Sequence, residues 1–242
     1  MLINPRLTDF YGIQCAQEQI DFAIPFFNED IPLYLDPFLL WKSPSMQDNA
    51  LHASLMTFFN DLGAKFLSGQ KNDAINSLII ASECHEVKMG TSLSGKGRRM
   101  SVKLAEMILG TFQIAERAGI HGFRHLEEIQ LLINGISKDR ISDIACSFIK
   151  SYLIDYTIDQ CLELGIPVEN THVDNIFHMQ NHKPISEQVA LPINPVHKEP
   201  IILVPKRYLR FVPWINFDEY YAKSCPQDAA SSRRRNCQEG LS

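Results

Sequence analysis

The feature that most constrains this chain is an unbroken apolar stripe that begins just after Asp139. Ile141, Ile144, Ala145, Phe148, Ile149, Tyr152, Leu153 and Tyr156 recur at helical steps, so the sequence predicts one amphipathic helix over 139–164. Asp139 is placed to cap its start, and Ser142 and Asp143 suit the electropositive first turn. Gly165 and Pro167 end it.

A second helix is expected over 47–67, where Leu51, Leu55, Phe58, Phe59 and Leu62 line one face, and a third over 100–118. In the third, Val102, Ala105, Ile108, Leu109, Phe112 and Ala115 form the buried side and Gly119 the stop. Residues 73–81 fit helix or strand. Short strands are expected near 31–36, 84–88, 126–133 and 201–205. Residues 167–200 show little periodicity, several prolines and four histidines, and read as an irregular arm or lid. The expected fold is α/β: a small mixed sheet flanked by helices in a single domain over 1–221. Residues 222–242 carry almost no large apolar side chains and read as a disordered tail.

Composition narrows the class of partner. A net charge of −5 argues against a protein that coats nucleic acid by bulk charge, and leaves room for a local basic groove. The six cysteines are scattered with no zinc-like spacing, and no apolar run is long enough to span a bilayer. The chain reads as a reduced, cytoplasmic protein without a membrane partner.

Three polar constellations carry chemistry. The first is Asp36, closing the apolar run Ile31–Asp36, with Glu86 and Lys88 some fifty residues on. Hard carboxylate oxygens suit magnesium, and a nearby lysine orients water or polarises a phosphate. On a strand, Glu86 and Lys88 would share one face. The second is the loop Ser94–Arg99, whose glycines and cations (Lys96, Arg98, Arg99) suit a phosphate as it leads into a helix start. The third, a second choice, is Asp139 and Asp143, one helical turn apart, with Lys206. Each has a structural alternative: a turn carboxylate at Asp36, a solvated Glu86–Lys88 pair, a mobile loop, and helix capping at Asp139. The histidine pairs His121/His125 and His178/His182 share a ligand-like spacing without a convincing helix beneath them.

The order Asp36, long gap, Glu86-x-Lys88 resembles the PD-(D/E)XK nuclease superfamily, although Pro37 follows the aspartate here instead of preceding it. Three longer stretches, 31–40, 135–143 and 202–206, resemble uncharacterised bacterial proteins of mobile-element and anti-phage defence neighbourhoods. Those resemblances imply a metal-dependent nuclease or nuclease-like effector acting on a phosphodiester substrate in defence. Asp36 and Glu86 would hold Mg2+, Lys88 would orient the water, and Lys96, Arg98 and Arg99 would grip the nucleic-acid backbone. The rival expectation is a non-catalytic subunit or adaptor of a multi-protein complex or homo-oligomer, binding through apolar helix faces and the 167–200 arm. The two readings separate on whether Asp36 and Glu86 come together or apolar surface is left exposed.

Overall fold

Ser45 begins the longest helix because its hydroxyl accepts the Asp48 N–H, and no proline or glycine breaks the run until Leu67 apart from Gly63. The computed structural model describes residues 4–90, 100–133, 136–177 and 183–210. In chain order the helices are α1 (Leu7–Tyr11), α2 (Pro37–Lys42), α3 (Met46–Leu67), α4 (Lys71–Ile80), α5 (Val102–Arg117), α6 (Ile129–Leu132), α7 (Lys138–Phe148) and α8 (Lys150–Leu164). The strands are β1 (Tyr34–Leu35), β2 (Glu169–Phe177), β3 (Pro184–Leu191) and β4 (Leu209–Arg210). They make two antiparallel two-stranded sheets, β1 with β4 and β2 with β3. The chain is thus a single domain of mixed helix and sheet, as the sequence leads one to expect.

The main core lies among α3, α4, α5, α7, α8 and the β2–β3 hairpin. Phe58, Phe148 and Phe177 meet edge-on or tilted there, with Phe59, Phe112 and Phe123 forming a second aromatic group. Gly63 on α3 is needed for this packing: a Cβ at that position would lie 2.3 Å from the Phe112 ring of α5. A smaller core joins Leu7, Phe22, Ile24 and Phe27 to Cys161, Ile166 and the 201–203 segment. Thr157 of α8 holds that last segment by accepting the Leu203 N–H at 2.9 Å.

Several local expectations are corrected. The helix over 139–164 is two helices, broken at Ile149, where Lys150 is turned into the core. Its cap position is Ser137, not Asp139. Residues 84–88 form a 3₁₀ turn (His85–Val87) ending at Lys88 in the left-handed region, so strand alternation does not place Glu86 beside Lys88. Residues 126–133 are a 3₁₀ turn leading into α6, because Leu126 and Ile129 bury at a three-residue step instead of alternating. The 201–205 segment is extended without belonging to a named strand, and residues 167–200 carry the longest strands of the fold. Val102, expected inside, is exposed.

Candidate functional site

Asp36 is the N-cap of α2. Its Oδ1 accepts the Phe38 N–H at 3.0 Å, which Pro37 at the first helical position favours by fixing the turn. The same N–H lies 2.9 Å from Glu127 Oε1, and Arg210 Nε sits 3.0 Å from Asp36 Oδ2. Asp36 is 0% exposed. Burial pushes the Glu127 carboxyl well above the usual range, and the Asp36 charge and hydrogen bond push the same way. Burial and the neighbouring Asp36 favour the protonated form of Glu127, and the Arg210 guanidinium stands beside Asp36. In the fold, Asp36 is a helix cap held inside the protein.

Next to this pair, His52 and His125 approach to 3.3 Å between ring nitrogens, and the His125 ring packs edge-on against Trp41. Burial holds both imidazoles down at about 4; His125 adds to the effect on His52, and Arg124 to that on His125. They are neutral core groups. His121, four residues before His125, is exposed.

Glu86 takes a different partner. Lys150, the first residue of α8 and only 1% exposed, donates to Glu86 Oε1 at 2.7 Å and to the Asp174 carbonyl at 2.8 Å. A β-bulge between Val173 and Ile176, with Asn175 in the left-handed region, breaks the regular pairing of β2 where that carbonyl meets Lys150. Lys88 pairs with Glu199 at 2.7 Å. Glu86, Lys150, Asp174 and Glu199 all line one cavity of about 320 Å³, together with Glu83, His85 and His172. His172 lies 3.1 Å from Asp174 Oδ1, which also accepts the Ser186 hydroxyl. The structure therefore brings Glu86 and the partner of Lys88 to one cleft, and places Asp36 with Glu127 and Arg210.

The expected magnesium ligands do not fit that ion. Asp36 is committed to a helix cap, a carboxyl pair and Arg210, while Glu86 is committed to Lys150. Among the described residues, no group of three or more His, Cys, Asp or Glu side chains is arranged to hold a metal. Lys96, Arg98 and Arg99 lie outside the described residues.

The second-choice constellation is also divided. Asp143 is pushed up to about 7 by burial, against Arg140 and with help from Asp139, Asp30 and Glu83. Lys206, in contrast, donates to the Gln17 carbonyl on the N-terminal segment. Its neighbour Arg207 stacks on the Tyr208 ring at 4.5 Å and reaches Asp48, Asp21 and Tyr152. This network, with the Tyr208 hydroxyl donating to Asp48, pins residues 206–208 to α3 and α8.

The outward face of α5 has no counterpart among the polar motifs. Lys103, Met107, Gly110, Ile114 and Arg117 recur at steps of four, three, four and three, which places them in one stripe along the helix. Met107 is 43% and Ile114 49% exposed. Between them, a Cβ on Gly110 would meet nothing within 4 Å. Among the described residues, nothing packs on Gly110 as Phe112 packs on Gly63. The opposite side of α5 (Ala105, Ile108, Leu109, Phe112, Ala115) is buried, as the sequence leads one to expect.

No helix of the described residues is long and apolar enough to cross a membrane. Neither the curated proteins nor the solved structures include a match to this chain. Residues 12–216 match the model of a domain of unknown function, DUF8370, so the chain belongs to that family.

Proposed function

We propose that this chain is a non-catalytic subunit or adaptor that binds a partner protein through the outward face of α5. The observation that carries the reading is the contrast between its polar and apolar groups. Asp36, Glu86, Lys88 and Lys206 are each engaged in holding the fold together, whereas Met107, Gly110 and Ile114 form an apolar strip facing outward. A mid-helix glycine costs about 1 kcal/mol relative to alanine, and such a cost at a position on which no described residue packs is explained by a partner that approaches closely. The likeness to proteins of anti-phage defence neighbourhoods supports placing that partner in a defence assembly.

A second reading keeps the enzyme: a phosphodiesterase or nuclease working from the Glu86–Lys150 cleft. The observation in its favour is that His172 is aligned by Asp174 at the cleft wall, the arrangement a proton-transferring histidine requires. Against it, the lining carries Glu83, Glu86, Asp174 and Glu199 beside one lysine, a field that repels a phosphate backbone.

The experiment is cleavage of plasmid, single-stranded DNA and RNA by the purified full chain with Mg2+ or Mn2+, beside Lys88→Ala and His172→Gln. The adaptor reading expects no cutting by any of the three proteins. Metal-dependent cutting lost in either variant would overturn it in favour of the nuclease.

A further inference from the structure

The α5 stripe carries more than an apolar strip: it specifies the charge of what covers it. Lys103 and Arg117 stand one turn beyond Met107 and Ile114 at either end, both exposed; of the two exposed carboxylates of α5, Glu106 borders the same arc and Glu116 lies outside it. An apolar centre of about two turns, opened at Gly110 and closed by a cation at each end, is the complement of a helix. Such a partner has small or aliphatic residues at its middle and a carboxylate one turn to either side. We infer that the α5 face binds an amphipathic α-helix of a different protein, seated across Gly110 with acidic residues meeting Lys103 and Arg117; this rests on the adaptor reading above.

A second copy of the chain fits the same face poorly. An antiparallel pairing that sets Met107 against Ile114 of the other copy brings Lys103 towards Arg117, and a parallel pairing brings each cation towards itself. Either arrangement sets Lys103 and Arg117 near like charges at the rim, and the single Glu106 of each copy offsets only one of its two cations, which disfavours association. An acidic helix removes the conflict at both ends. The missing Cβ at Gly110 lets the two backbones come closer than alanine or leucine allows, as at other close helix crossings.

The test uses the full chain and two labelled synthetic helices of about 18 residues, each with an Ala/Leu stripe. One carries Glu one turn beyond the stripe at both ends; the other carries Lys there. Fluorescence anisotropy should show the Glu-flanked helix binding about tenfold or more tighter than the Lys-flanked one. The double variant Lys103→Glu/Arg117→Glu should reverse that order, and Gly110→Trp should weaken both. Circular dichroism and urea unfolding of each variant confirm that the fold is intact.

Equal binding of the two helices, or binding of neither, overturns the inference. So does a dimer that sedimentation shows to be lost in Gly110→Trp, which would assign the face to a second copy. Binding to phosphatidylglycerol vesicles that Lys103→Glu/Arg117→Glu abolishes would assign it to an anionic membrane surface and overturn it equally. Nucleic-acid cleavage at the cleft would instead sink the adaptor reading, and the peptide comparison would still report on the α5 face separately.

Discussion

The Phe112 ring of α5 lies against Gly63 of α3 so closely that a methyl group on the glycine would stand 2.3 Å from it. Two residues earlier on the same helix, a Cβ on Gly110 would meet none of the described residues within 4 Å. The pair separates a glycine required by the core from one the core does not require, and so makes opposite predictions for the same substitution. Gly63→Ala should destabilise by about 1–3 kcal/mol through overpacking. Gly110→Ala should stabilise by up to about 1 kcal/mol, because alanine is the better helix former and meets no neighbour. Urea denaturation of the two variants measures both signs.

The Glu86–Lys150 pair ties the 85–87 turn to the start of α8 and, through the Asp174 carbonyl, to the bulge in β2. Replacing Lys150 by methionine leaves a largely buried carboxylate and a carbonyl without their donor. The expected loss is roughly 3–5 kcal/mol. The double variant Lys150→Met/Glu86→Gln should recover part of it, and a double-mutant cycle by chemical unfolding reads the coupling. Equal destabilisation by the single and double variants would show that the pair is not what holds these elements.

Acid should weaken the fold through His52 and His125. Both are held at about 4, below the ordinary value of 6.5, so their contribution is complete above pH 6.5 and is lost as pH falls towards 4. Each contributes up to ~3 kcal/mol across that window by the usual linkage. In His52→Phe the fall in stability between pH 6.5 and 4 should be visibly shallower, measured as urea midpoints across the range.

Asp143 acts in the opposite direction. Its carboxyl is raised from 3.8 to about 7, so its contribution is complete below pH 4 and is lost as pH rises to 7. Asp143→Asn should therefore gain stability relative to the parent as pH climbs from 4 to 7, by ~2–4 kcal/mol at pH 8. A direct check is the carbon-13 chemical shift of the Asp143 carboxyl through a pH titration. A midpoint near 4 would contradict the burial seen here.

The sequence discloses the helices whose apolar residues repeat against one partner layer, and little that depends on distant partners. The buried face of α5 and the run of α3 from Ser45 follow from local spacing. Glu86 meets Lys150 across 64 residues and Lys88 meets Glu199 across 111, and no local pattern foretells either pairing. Those long-range partners give Glu86 and Lys88 contacts that their local sequence does not show. The β2–β3 hairpin went unread because most of β2 is exposed, with only Val173, Ile176 and Phe177 buried, so its apolar pattern barely alternates. Met107, Gly110 and Ile114 share a helical spacing, but they stand out as a surface only once the opposite side of the helix is seen to be occupied by the core.

The measurement closest to the central claim compares the affinity of the Glu-flanked helix for the parent chain and for Gly110→Leu, with the unfolding midpoint of each recorded alongside. The account predicts affinity reduced about tenfold or more in a variant at least as stable as the parent, because the new side chain has room in the isolated fold and none beneath a partner. Unchanged affinity in a stable Gly110→Leu protein would mean that the helix does not seat across Gly110, and the adaptor account would lose its support.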